Sequence, residues 1–292
     1  MRRAVDGFAA SLMVVLCLLW GLQQVVIKAA ATDVSTVLQA TLRSGVSAAL
    51  VWLFSRFVLR ERWLEGVARG PGIVVGVLFA AEFLFIAEGL RFTSAAHIAV
   101  FLYTAPLFAA LGLHFKVPDE RLSRVQWGGL ALAFSGIAVS FLGSDGADHS
   151  LVGDLLGVAA GAAYGLTTVA VRTSRLSEAP ASQTLFYQLA GAFLLLGPVA
   201  LISRAHFHGT ALAWGSVAFQ ALIVSFASYL AWFWLLRKYK AAQLGVLSFM
   251  TPLFGAAMGA LVLRESLDSA FILGALLVMA GLLVVTVRPR TA

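Results

Sequence analysis

The feature that most constrains this chain is that it carries one pattern twice. Ala95-Ala96-His97-Ile98-Ala99-Val100 is followed by Pro106-Leu107-Phe108, by Glu120-Arg121-Leu122, and by Gly129 and Gly136. Ala241-Ala242-Gln243-Leu244-Gly245-Val246 is followed by Pro252-Leu253-Phe254, by Glu265-Ser266-Leu267, and by Gly274 and Gly281. The offset is 146 at the prolines and 145 at the glutamates and glycines. Upstream, Trp20-Gly21 with Lys28 is echoed by Tyr164-Gly165 with Arg172, each cation eight residues beyond its aromatic. One residue of slippage over so long a stretch identifies an internal duplication, and a duplicated chain folds as two copies of one unit.

The solvent for those units is lipid. Of 292 residues, 60% are hydrophobic and only 12% charged, against roughly 25% charged in an ordinary soluble domain. The net charge of +7 does not point to nucleic acid, because the cations sit in short loops between apolar runs. Cys17 is the single cysteine, which excludes a disulfide framework or a cysteine metal cluster within the chain. Met1-Arg2-Arg3 resembles the start of a signal peptide. The uncharged run from Gly7 to Ile27, however, exceeds the roughly 7–15 apolar residues of a signal core, and it is echoed in the second half. It is read as a retained helix.

A span needs about 20 apolar residues at about 1.5 Å each. Ten segments qualify: about 8–28, 34–56, 71–90, 94–115 and 125–143, then 152–172, 182–203, 211–236, 241–263 and 268–287. The expected fold is an all-α polytopic membrane protein, with ten transmembrane helices in two five-helix repeats over 8–143 and 152–287. Of the 21 Lys and Arg, Lys28, Arg91, Arg204 and Arg264 fall on one side, Arg43 lies within a span, and the remaining sixteen fall on the other side. That bias makes both termini cytoplasmic, and puts the loop around Asp145, Asp148 and Asp154 outside. Five is odd, so the repeats are inverted about a pseudo-two-fold axis in the membrane plane. Such a pair can open one face or the other around a central site, an arrangement that a transporter uses directly.

Polar residues within spans are costly unless they face a cavity or each other. Trp20, Gln23, Gln24 and Lys28 lie on or beside one face of the first helix, as interfacial and packing residues or as a cavity wall. Trp20 is deep enough for the second reading. Tyr164 and Thr167 are the equivalents of Trp20 and Gln23. His97, Phe101 and Thr104 form a stripe on the fourth span, with Gln243 equivalent to His97; the histidine is a packed residue or a substrate contact. The eighth offers Ser225, Ser228, Tyr229 and Trp232, of which Ser225, Tyr229 and Trp232 share a face. The pairs Trp20/Tyr164, Gln23/Thr167 and His97/Gln243 are expected to converge on a midplane site. Pro106 and Pro252 withhold a hydrogen bond from the carbonyls of Leu102 and Ser248, as simple kinks or as hinges with a polar face. Glu82 sits near mid-membrane and Arg43 at similar depth. They form a structural ion pair, or Glu82 is a cavity carboxylate that takes an amine or a proton. Glu88 and Arg91 make a local pair, and Val278 in the last span is assigned to lipid. No catalytic motif is present, His206 and His208 lack further metal ligands nearby, and no cofactor is expected.

The repeat pattern, with Trp-Gly in the first helix, Ala-Ala then Pro in the fourth, Glu-x-Leu and two spaced glycines, resembles the EamA family of the drug/metabolite transporter superfamily. Overall the chain looks most like YddG-type amino-acid exporters. The resemblance implies a ten-helix exporter of aromatic and other neutral amino acids in the plasma (bacterial inner) membrane, with no nucleic-acid partner, and the chain is read as a monomer. Where the family often has glycine before the second glutamate, this chain has Leu263-Arg264-Glu265, which leaves that corner without an expected role. Two rivals are a proton-coupled drug efflux pump, which keeps Glu82 in play, and an exchanger of phosphorylated sugars, which would want more deep cations than Arg43.

Overall fold

In a computed structural model, whose described residues are 3–66, 69–118, 121–141, 150–239 and 241–286, the elements are helices, with two isolated β-bridges in the connections. Glu120, the Asp145 and Asp148 region and the C-terminal arginines lie outside the described residues. The elements are α1 (Gly7–Ala29), α2 (Thr36–Leu53, prolonged by a π-helical turn Phe54–Leu59), α3 (Arg69–Gly89), α4 (Ala95–Leu102), α5 (Ala105–Lys116), α6 (Arg124–Ser140) and α7 (Leu151–Arg172). They continue as α8 (Ala181–Ile202), α9 (Ala211–Ala218), a π-helical stretch Phe219–Ser228, α10 (Tyr229–Lys238), α11 (Ala241–Ser248), α12 (Met250–Val262) and α13 (Ser269–Thr286). Among the described residues, eight helical segments are long and apolar enough to cross a membrane, and α13 is a shorter apolar helix.

Short polar side chains start these helices. Asp6, Ser94, Ser123, Ser150 and Thr210 each accept a hydrogen bond from a backbone N–H in the first turn, satisfying donors that have no intrahelical partner. The prolines interrupt rather than merely bend. α4 ends at Leu102, and α5 restarts at Ala105 with Pro106 in its first turn. α11 ends at Ser248, and α12 restarts at Met250 two residues before Pro252.

The duplication is written into the packing. A Cβ on Gly21 would lie 2.7 Å from Gly255 N and 3.0 Å from Thr251 O, and one on Gly165 would lie 2.6 Å from Ala105 O and 2.9 Å from Ala109 N. Thr251 and Gly255 are Ala105 and Ala109 shifted by the proline offset. The first helix of each repeat therefore docks, backbone to backbone, on the fourth helix of the other. α6 and α13 cross at equally close range. A Cβ on Gly281 would come within 2.5 Å of Gly129 O, and one on Gly274 within 2.5 Å of Gly136 O. The offset of 145 turns Gly129 into Gly274 and Gly136 into Gly281, so these two contacts exchange with one another. Contacts that map onto each other in an antiparallel pair are the signature of an internal two-fold axis crossing the helices. Val278 belongs to this interface. It is 1% exposed, against the sequence expectation of a lipid face, because Gly136 opposite it leaves room for the backbone to close in.

Candidate functional site

A cavity of about 860 Å3 lies between the repeats, within the range of small-molecule sites. The first repeat contributes Trp20, Gln23 and Gln24 from α1, Phe79, Glu82 and Phe83 from α3, and Leu102, Tyr103 and Pro106 from the α4–α5 break. The second contributes Tyr164 and Thr168 from α7, Leu185 and Gln188 from α8, Tyr229 and Trp232 from α10, and Ser248 at the end of α11. Along α5 the cavity continues past Leu113 to Arg121, Leu122 and Gln126, where Arg121 is exposed.

The aromatic wall is held in place. Trp20 meets Tyr229 and Trp232 edge to face, at 6.5 and 5.7 Å between ring centroids. Its indole N–H donates to Ser228 Oγ at 2.8 Å, and Ser228 in turn donates to Val224 O at 2.5 Å. This chain ends within the π-helical stretch, in the back-bond that a helical serine makes to the carbonyl four residues before it. The polar part is unsatisfied: Gln23 Nε2, Gln24 Oε1 and Glu82 Oε2 are buried without a hydrogen-bond partner, although such groups are costly to leave unpaired.

Arg43 and Glu82 do not form the ion pair considered from sequence. The Arg43 guanidinium is fully buried, lies 3.6 Å from the centre of the Phe83 ring, and has the Tyr229 hydroxyl near it, outside regular hydrogen-bond geometry. Phe83 lines the cavity and Arg43 does not. A cation–π contact has taken the place of the expected carboxylate. Glu88 and Arg91 do pair, at 2.6 Å.

Of the residues singled out in the sequence, Trp20, Gln23, Glu82, Pro106, Tyr164 and Tyr229 come together on this one cavity. The others lie off it. His97 bonds Asp154 through Nδ1 at 2.8 Å and stacks on Phe271 at 3.9 Å. Phe101 packs with Phe141 and Phe271. Thr167 turns its hydroxyl to Ala163 O, and the next residue, Thr168, lines the cavity instead. Ser225 is buried within the π-helical stretch. Gln243 accepts from the backbone N–H of Val5 at 2.9 Å. Pro252 is buried but forms no part of the wall. His97 and Gln243 do not converge because each lies in the first turn of its helix, and an inverted axis sends helix ends to opposite sides. Trp20 and Tyr164 lie far along theirs, where the axis brings equivalents together. Gln24/Thr168 and Leu102/Ser248 are further equivalent pairs that share the wall. Trp232, placed on the Tyr229 face from sequence, lines the cavity, whereas Tyr103 and Gln188 were missed; only Tyr103, beside the proline break, carried a signal.

At the far end of the bundle polar side chains join the two repeats. Glu265 accepts from the backbone N–H groups of Ala95 at 2.7 Å and Ala96 at 3.1 Å, and pairs with Lys28 at 3.1 Å. Lys28 also donates to Thr93 O at 2.9 Å. Asp154, buried in the first turn of α7 rather than in an outer loop, accepts from Thr93 Oγ1 at 2.6 Å. Repeat two thus grips the Thr93–His97 corner of repeat one.

The profile of the EamA-like transporter family matches residues 7–142 and again 151–287. The chain is similar to a probable amino-acid metabolite efflux pump of Salmonella typhimurium, 29% identical over 288 residues, covering 95% of this chain and 93% of that one. It is similarly related to a probable amino-acid metabolite efflux pump of Escherichia coli K12, 28% identical over 289 residues, with the same coverage. One crystal structure superposes with a TM-score of 0.64 at 20% identity, over 96% of this chain and 98% of that one, which bears on the fold alone.

Proposed function

The chain belongs to the EamA-like transporter family, and we propose that it exports small amphipathic metabolites, aromatic and other neutral amino acids foremost, by alternating access between its inverted repeats. In this reading ten spans cross the plasma membrane, with both termini cytoplasmic. The observation that carries it is the cavity at the repeat interface, walled by side chains from both repeats. The Lys28–Glu265 pair ties the repeats together at one end of the bundle, and the cavity runs toward exposed Arg121 at the other. Rocking one repeat against the other would open one end or the other around a fixed site. The relatives named as amino-acid metabolite efflux pumps support the choice of solute. Trp20, Tyr164 and Tyr229 offer faces for an apolar side chain, and Gln23 and Glu82 offer groups for its polar end. Pro106 and Pro252, at the two helix breaks, are the proposed hinges.

The test is flux of radiolabelled phenylalanine and leucine from proteoliposomes, with and without a pH gradient. Uncoupled or coupled export that Trp20→Ala reduces supports the reading. Glu82 also favours a second reading, proton-coupled efflux of apolar amines; flux that needs the gradient and excludes amino acids would select it. Absence of flux for every solute would sink both.

A further inference from the structure

We propose that the polar end of the cavity selects its solute by an ammonium group, and that a carboxylate is tolerated rather than required. This rests on the reading of the cavity as the transport site and adds the charge rule that governs it. Three buried polar atoms there lack partners: two acceptors, Glu82 Oε2 and Gln24 Oε1, and one donor, Gln23 Nε2. Exchanging the roles of the two amides leaves that balance unchanged. The only ionisable group among them is a carboxyl.

Among the described residues no cation of the wall contacts it. Among the lining residues Arg121 alone is cationic, and it lies exposed at the mouth. Arg43 is engaged with the face of Phe83 at 3.6 Å and is not part of the lining. Among these unpartnered atoms a solute carboxylate would meet Glu82 and one neutral amide donor. Apart from Arg121 at the mouth, the remaining donors of the wall are neutral hydroxyl, indole and amide groups, with no charge to offset its lost hydration. An ammonium has three N–H donors. Two satisfy Glu82 Oε2 and Gln24 Oε1, with a charge-assisted bond to the first. Gln23 Nε2 then donates to whatever oxygen neighbours the amine, whether carboxylate, ester or amide. The substrate class is therefore primary ammonium compounds with a flat apolar group, of which neutral amino acids are one subset.

The experiment is titration of the full chain in nanodiscs, by calorimetry, with three compounds that share a ring: phenylalaninamide, 2-phenylethylamine and 3-phenylpropionate. The first two are expected to bind, and the carboxylate lacking an amine to bind at least about tenfold more weakly, the worth of one hydrogen bond to a charged group. Glu82→Gln should weaken both amines by about tenfold and leave 3-phenylpropionate unchanged. Glu82→Asp, which keeps the charge, should retain most amine binding if Glu82→Gln proves unstable. Binding of 3-phenylpropionate as tight as that of 2-phenylethylamine overturns the proposal, and so does binding of none of the three. Amine binding without flux in liposomes would leave this charge rule standing and remove the transport reading instead.

Discussion

Lys28, at the end of α1, and Glu265, in the turn between α12 and α13, meet at 3.1 Å across the two repeats. Glu265 does more than pair. Both its oxygens accept backbone N–H groups from the start of α4, so a carboxylate from one repeat caps a helix of the other. The geometry depends on Arg264, which adopts φ of 56°, the left-handed conformation usual for glycine beyond a helix end. The corner that departed from the family pattern thus joins the repeats.

Glu265→Ala is accordingly expected to loosen that end, and Glu265→Gln, which keeps one acceptor, to loosen it less. In a Cys17→Ala background, a cysteine replacing Ala96, 0% exposed, should react with a water-soluble maleimide about tenfold faster in the alanine variant. A Lys28→Glu/Glu265→Lys exchange should not restore protection, because an ammonium cannot accept the Ala95 and Ala96 N–H groups. Full protection in the exchanged protein would mean that only the ion pair matters.

The backbone contacts of Gly21 and Gly165 make a second, paired prediction. Valine at either position drives a side chain into backbone atoms under 3 Å away, and each is expected to destabilise the protein by about 1–3 kcal/mol. Gly128→Ala, where nothing lies within 4 Å, should be neutral or stabilising by up to about 1 kcal/mol. Thermal unfolding in detergent reads all three. Similar melting for Gly21→Val and Gly128→Ala would contradict the docking of α1 on α12.

How much of this was legible in the sequence depends on depth along the helices. The duplicated motifs fixed which elements are equivalent, and the exchange of Gly129–Gly281 with Gly136–Gly274 follows from that equivalence. Residues far along their helices, such as Trp20, Tyr164 and Glu82, were readable as cavity candidates because an inverted axis brings equivalents together near its centre. His97 was not, since its place on a polar stripe gives no hint that Asp154, fifty-seven residues on, reaches it. Rotational detail was lost as well. Thr167 and Thr168 differ by one helical step, about 100°, and only packing decides which one faces the cavity. Arg43 stacking on Phe83 has no sequence signature, because adjacency to Glu82 suggests an ion pair first.

The cation bias predicts that both termini are cytoplasmic. A cysteine at position 290, in a Cys17→Ala background, should be labelled by an impermeant reagent only after cells are opened. Labelling in intact cells would invert the topology and, with it, the direction of transport.

Asp6 gives a pH prediction at the N-terminus. Its carboxylate accepts from the Ala9 backbone N–H at 2.9 Å and from the Tyr239 hydroxyl at 2.9 Å, and these bonds, the Ala9 one foremost, hold its pKa below the usual 3.8. A depressed pKa means that the stabilisation is present above the ordinary carboxylate range and lost as pH falls through the lower folded value. Melting of the wild type should therefore drop below about pH 4 more steeply than that of Asp6→Asn, which keeps an uncharged cap at every pH. Parallel pH profiles would show that the Asp6 cap does not contribute.

The separation of Arg43 from Glu82 gives the last prediction. A buried ion pair loses about 3–5 kcal/mol when one partner is removed, and much of that returns when both are replaced by apolar residues. The guanidinium here stacks on Phe83, and no hydrogen bond joins it to Glu82. The stability losses in Arg43→Met and Glu82→Leu should thus nearly add in the double variant, with coupling below about 1 kcal/mol. Arg43 and Phe83 should be coupled instead. Phe83→Leu is expected to cost up to about 2 kcal/mol more in the wild-type background than in an Arg43→Met background, the worth of a desolvated cation–π contact. Unfolding in detergent across both cycles measures this. Recovery of wild-type stability in Arg43→Met/Glu82→Leu would restore the ion pair, and would remove Glu82 as a carboxylate free to meet a solute.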